Sequence, residues 1–131
     1  MEQGEPSEAI IRKEDYWTYI EASTHYKQPD EWDAHGGKFI VRGNEQQIVP
    51  LAQRLSRYVA QGTIRSLKYG PPVPGIYKSW ALMAFCLDFE SDEVWKVLQR
   101  EGVTRNLWKY AKETKTDWKP GGRLYKKFQD K

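Results

Sequence analysis

The chain has 131 residues, enough for one domain and too few for two. A charged share of 30% beside a hydrophobic share of 39% excludes a disordered chain, and a formal charge of +3 tolerates anionic ligands without marking a nucleic-acid binder. The one cysteine, Cys86, excludes an internal disulfide and any multi-cysteine metal site.

Residues 1–14 are polar and read as a tail or a short helix capped by Ser7. A single α+β domain is expected over 15–131. DYWTYIEA, Asp15 to Ala22, is rich in aromatic and β-branched residues and reads as a strand. Pro29 and Gly36-Gly37 break the next stretch into a loop, in which Trp32 is expected to be exposed. KFIVRG, Lys38 to Gly43, is a strand with Phe39 and Val41 on one side and Lys38, Ile40 and Arg42 on the other. A helix follows near 47–61. Asn44 can cap it, Pro50 suits a first turn, and Ile48, Leu51, Leu55, Tyr58 and Val59 form one stripe.

TIRSLKYG, Thr63 to Gly70, is a strand. Ser79 to Phe89 is an almost unbroken apolar run, as a central strand covered on both faces requires. Cys86 lies inside it, where a buried and inert thiol is expected. Ser91 and two acids open a helix near 91–101 with Val94, Trp95 and Leu98 on its apolar face. Arg105 to Lys112 alternates as a strand, and RLYKKF, 123–128, is a short last strand or a loose tail. Two amphipathic helices and long hairpins predict an α+β fold: a mostly antiparallel sheet with both main helices on one face. A doubly wound sheet needs regular β-α-β units, and residues 63–89 break that rhythm.

YGPPVPGIYKSW, Tyr69 to Trp80, superficially matches a phosphate-binding loop. In such a loop the lysine follows the second glycine, and backbone N–H groups form the cradle. Here Ile76 and Tyr77 intervene, Pro71, Pro72 and Pro74 have no N–H, and the segment leads into a strand. It reads as a stiff connector. His25 and His35 stand ten apart among acids without metal-ligand spacing, so no metal and no cofactor are expected.

Basic residues carry the stronger signal. Lys38 and Arg42 share the polar face of their strand; Lys68 and Arg65 lie on opposite faces of theirs; Lys109 alternates with Trp108 and Tyr110. Adjoining strands would gather Lys38, Arg42, Lys68 and Lys109 with rings such as Trp80 and Trp108. Cations hold phosphates and rings stack on flat bases. The bland alternative is a solvated sheet face whose lysines prevent edge pairing.

Several segments resemble the basophilic-leukaemia-expressed protein family, a domain of unknown function: the Tyr16-Trp17 pair, GKFIV at 37–41, GTIRSLKYG at 62–70, and ALMAFCLDFESDEVWKVLQREG at 81–102. The resemblance spans about residues 15–128 and includes no catalytic motif. It implies a fold similar to that of the mRNA cap-binding translation initiation factors, a curved antiparallel sheet with helices on its convex back. Three functions stay open. One is a non-enzymatic binder of a phosphorylated small molecule or RNA end. Another is a small phosphothreonine-lyase-like enzyme, for which Lys38, Lys68, His35, Arg42 and Arg65 supply the residue types. The third is a module that binds a protein partner. No apolar run is long enough for a membrane span, and MEQGEPSEAI lacks the shape of a signal peptide, so a soluble cytoplasmic protein without a membrane partner is expected.

Overall fold

The computed structural model describes residues 9–22, 29–75 and 78–113. The 123–128 segment, His25 and Trp118 lie outside the described residues. Chain order is β1 (Ile10–Lys13), β2 (Thr18–Glu21), α1 (Trp32–His35), β3 (Gly36–Gly43), α2 (Glu45–Ala60), β4 (Ser66–Gly70), β5 (Trp80–Leu87), a 3-10 turn (Asp88–Glu90), α3 (Ser91–Arg100) and β6 (Trp108–Tyr110). The strands form one sheet in the order β1-β2-β4-β5-β3-β6, and every neighbouring pair is antiparallel. The expected α+β architecture is therefore present.

Register explains why both long helices sit on one face. Phe39 pairs with Ala84 and Val41 with Leu82; Leu67 pairs with Ala84 and Tyr69 with Leu82; Ile20 pairs with Leu67. These rows share one parity, so all of them point to the same side. There they meet Ile48, Leu51, Leu55 and Val59 of α2 and Val94, Val97 and Leu98 of α3 in a single core. Cys86 has the same parity, lies buried in that core, and its thiol is pushed up to about 12, mainly by burial.

The helix ends show how local chemistry sets boundaries. Asn44 Oδ1 accepts the Gln47 N–H at 2.9 Å while Gln47 Oε1 accepts the Asn44 N–H at 2.9 Å, a reciprocal cap. That cap starts α2 two residues earlier than the periodicity suggests, so Pro50 falls beyond the first turn and offers no N–H to the Gln46 carbonyl. Ser91 does not cap α3. It lies inside the helix and its hydroxyl donates to the Asp88 carbonyl at 2.6 Å, because the 3-10 turn has already changed the chain direction. Glu101, just past α3, accepts bonds from Arg54, Arg57 and Tyr58 and so ties the end of α3 to α2. Burial alone would raise its carboxyl, but the Tyr58 and Arg54 bonds hold it below the ordinary value.

Three further expectations are corrected. Residues 10–13 are not tail or helix; they pair with β2 through a turn closed by the Glu14 N–H to the Trp17 carbonyl at 2.8 Å. Trp32 is 7% exposed, not solvent-facing. The break at Pro29 introduces a single helical turn whose ring lies on Gly36, where an added Cβ would stand 2.3 Å from it, and beside Phe85 at a centroid distance of 6.2 Å. Residues 103–107 are a connector without regular structure and 111–113 are helical, so the last described strand is only Trp108–Tyr110. The proline connector does run from strand to strand. Pro72, Pro74 and Gly75 are exposed, but Val73 is buried.

Candidate functional site: the sheet face away from the helices

The face away from α2 and α3 carries the opposite parity; on it Lys38, Ile40, Ala81 and Met83 are buried and Arg42 is exposed. Along it, Lys109 stands directly across from Lys38, which pairs onward with Phe85 and Ser66. The adjacent row runs Ile40, Met83, Lys68, Tyr19 and Arg12, and Arg42 opens the row after that beside Ala81. Lys38, Arg42, Lys68 and Lys109 thus share one face. From ideal strand spacings, Lys68 lies about 12 Å from both Lys38 and Arg42 at the backbone. Glu21 and Arg12 end the face at the β1–β2 side and bond to each other at 3.3 Å.

The ambiguity between Ile64 and Leu67 disappears because β4 begins only at Ser66. Ile64 belongs to the preceding turn, where its N–H donates to the Tyr58 carbonyl, so strand alternation does not bind it. Both residues are fully buried, and Lys68 faces away from the helices.

These cations are not all in water. Lys38 is 8% exposed and is the one charged side chain so deeply placed among the described residues. Lys68 is partly covered, and burial holds its ammonium below the ordinary value. Its Nζ lies 4.5 Å above the Trp17 ring. Trp17 reaches that position because Gly70 lets β2's approach pass close by: an added Cβ there would be 2.0 Å from the Tyr16 carbonyl oxygen and 3.3 Å from the Trp17 ring.

The remaining sequence candidates lie elsewhere. Arg65 is bound bidentately to Glu90, with Nε to Oε1 and Nη2 to Oε2 both at 2.8 Å. Trp80 pairs with Gly43 and Trp108 with Phe39, so both have core parity and pack against the helix side. The aromatic partner of the patch is Trp17 instead. Its sequence signal was the Tyr16-Trp17 pair, which the sequence places in a strand with Trp17 either in the core or on a binding platform.

A cavity of about 520 Å³ adjoins the patch where β6 stops covering β3. Arg42 lines it from β3, Gln46 and Arg54 from α2, and Arg105 from the connector. Arg54 is already held by Glu101 at 3.0 Å. Arg42 therefore belongs to both that face and the cavity. Arg105, read from sequence as a strand residue, is exposed and stands at the cavity rim.

Lys68 provides a test of cost against use. Replacing it with methionine is expected to raise stability by about 1 kcal/mol, because a partly desolvated ammonium is exchanged for an apolar chain of similar length. Its folded value lies below the unfolded 10.5, so the penalty is full below the folded value and fades as pH rises through the window up to 10.5. Urea titrations of both proteins across that window should converge as pH rises.

Comparison with protein families, with curated proteins and with solved structures finds no match. Among the described residues, no helix is long and apolar enough to cross a membrane.

Proposed function

We propose that this chain is a non-enzymatic binding domain for a phosphorylated ligand, such as a nucleotide or an RNA end, held on the sheet face away from the helices by Lys38, Arg42, Lys68 and Lys109. One observation carries the reading: the strand register sets Lys109 opposite Lys38 and adds Lys68 and Arg42 on the same side. A spread of about 12 Å matches several phosphates or a phosphate with a base. Trp17 offers a ring beside Lys68 for that base. Arg42 extends the site into the neighbouring cavity. The six-stranded antiparallel sheet with helices on one side is also the kind of architecture implied by the resemblance to the basophilic-leukaemia-expressed family and the cap-binding factors, which supports the reading.

The test is titration of cap analogues, nucleotides and phosphopeptides against the wild type and Arg42→Ala/Lys68→Ala. Wild-type affinity is expected to fall with salt, and the double variant should bind at least about tenfold more weakly with a shallower salt slope. If no phosphorylated ligand binds better than about millimolar at low salt, or the double variant binds as well, the reading fails and a protein-interaction module becomes the better account. Turnover of a phosphopeptide would point to the lyase-like alternative.

A further inference from the structure

On the other face of β6, a second and smaller cavity of about 240 Å³ opens between the sheet edge, the 3-10 turn and the start of α3. Its walls are Phe39, Trp95, Trp108 and Tyr110, and its rim carries the carboxylates Asp88 and Asp92. The rings pack against one another in a continuous chain. Trp95 stacks on Phe39 at 25° with centroids 5.8 Å apart; Phe39 meets Trp108 at 66° and 5.0 Å; Trp108 meets Tyr110 at 88° and 5.5 Å. Phe39 is buried and forms the floor, while the other three rings are only partly covered.

We propose that this cavity binds a methylated ammonium group. None of Lys38, Arg42, Lys68 and Lys109 lines this cavity. Aromatic faces carry negative quadrupoles and attract a cation within about 6 Å of the centroid. No lysine or arginine is among the described residues lining the space, and two carboxylates are. An anion would be repelled there, and a neutral apolar ligand would desolvate the carboxylates without compensating them. A bare ammonium would have to surrender its hydrogen bonds to water against ring faces that accept poorly. A quaternary ammonium has no N–H to satisfy, spreads its charge over methyl groups, and packs against rings on several sides. One wall already attracts a cation: Lys112 Nζ lies 4.8 Å from the Tyr110 centroid.

Asp88 is fixed in place. It accepts the Tyr110 hydroxyl at 3.1 Å and lies 3.2 Å from His35 Nδ1, so both the ring and the carboxylate are positioned before any ligand arrives. Asp92 is exposed in the first turn of α3.

The probes are tetramethylammonium, choline, the uncharged carbon isostere of choline, and a lysine peptide with and without trimethylation, each followed by tryptophan emission on the whole chain. Tetramethylammonium is expected to quench saturably. Choline should bind at least about tenfold more tightly than its isostere, the factor that separates cation recognition from simple apolar burial. Asp92→Asn, whose exposed position leaves folding intact by thermal melting, should weaken the cations about threefold and leave the isostere unchanged. A stronger response to choline than to the trimethylated peptide would assign a free small molecule or headgroup, and the reverse a modified side chain. Equal binding of choline and its isostere, no saturation by any cation up to about 100 mM, or indifference of the cations to Asp92→Asn would each overturn the proposal.

Discussion

Gly70→Ala is expected to destabilise the fold by about 3 kcal/mol and to release Trp17 from Lys68. The new Cβ would sit 2.0 Å from the Tyr16 carbonyl oxygen, closer than any real contact, and the obstacle is backbone. A flexible side chain could swing aside; a peptide in the β1–β2 turn cannot without shifting the strands it joins. Overpacking of this kind costs typically 1–3 kcal/mol and more when main chain must move. The Gly70 conformation itself is not the issue, since its φ is not positive. Chemical denaturation gives the stability, and the fluorescence of Trp17 reports its environment. A loss below about 1 kcal/mol with unchanged fluorescence would show that the turn adapts and that Gly70 does not hold Trp17 against Lys68.

Glu90→Ala is expected to cost about 2–3 kcal/mol near neutral pH, because one carboxylate holds three bonds together. It accepts both arms of Arg65 and also the Leu87 N–H, each at 2.8 Å. The carboxylate thereby joins the start of β4 to the end of β5 and to the turn that aims α3. Burial alone would raise its carboxyl; the Arg65 and Leu87 bonds outweigh that and hold it below the ordinary 4.5. A depressed folded value means that this stability is present above 4.5 and is lost as pH falls through the folded value. The gap between wild type and Glu90→Ala in urea titrations should therefore be widest near neutrality and narrow on acidification. A gap that is constant with pH would mean that the cost comes from packing alone.

The sequence carried most of the sheet because alternation and register are the same information. Once Phe39, Val41 and Leu67 are assigned to the core, Lys38, Arg42 and Lys68 have nowhere to point but the other face. What alternation cannot carry is where a strand starts. Ile64 and Leu67 conflict only if both are strand residues, and the turn bonded to Tyr58 removes Ile64 from the strand. Trp108 was legible as a strand residue, but its face depended on pairing with Phe39, a partner about seventy residues away. Trp32 was missed for a different reason. Its burial needs a glycine on a neighbouring element to vacate the space, and Gly36 reads in sequence as a breaker rather than as a seat. The Arg65–Glu90 pair is similarly silent: residues 25 positions apart have no local pattern to announce them.

The strand order has a consequence for synthesis. β3 lies between β5 and β6, both of which leave the ribosome after it. Its Phe39-Ile40-Val41 run must therefore wait for a partner that emerges about forty residues later, some seconds at ordinary elongation rates. β4 and β5, joined by one connector, can pair as soon as both are out, and that pair presents the edge on which β3 then docks. In the interval α2 can shield one side of β3, but its hydrogen-bonding edges stay open to other nascent chains. Stalled or truncated products that stop short of β5 are thus the species most exposed to aggregation, and chaperone capture should be greatest there.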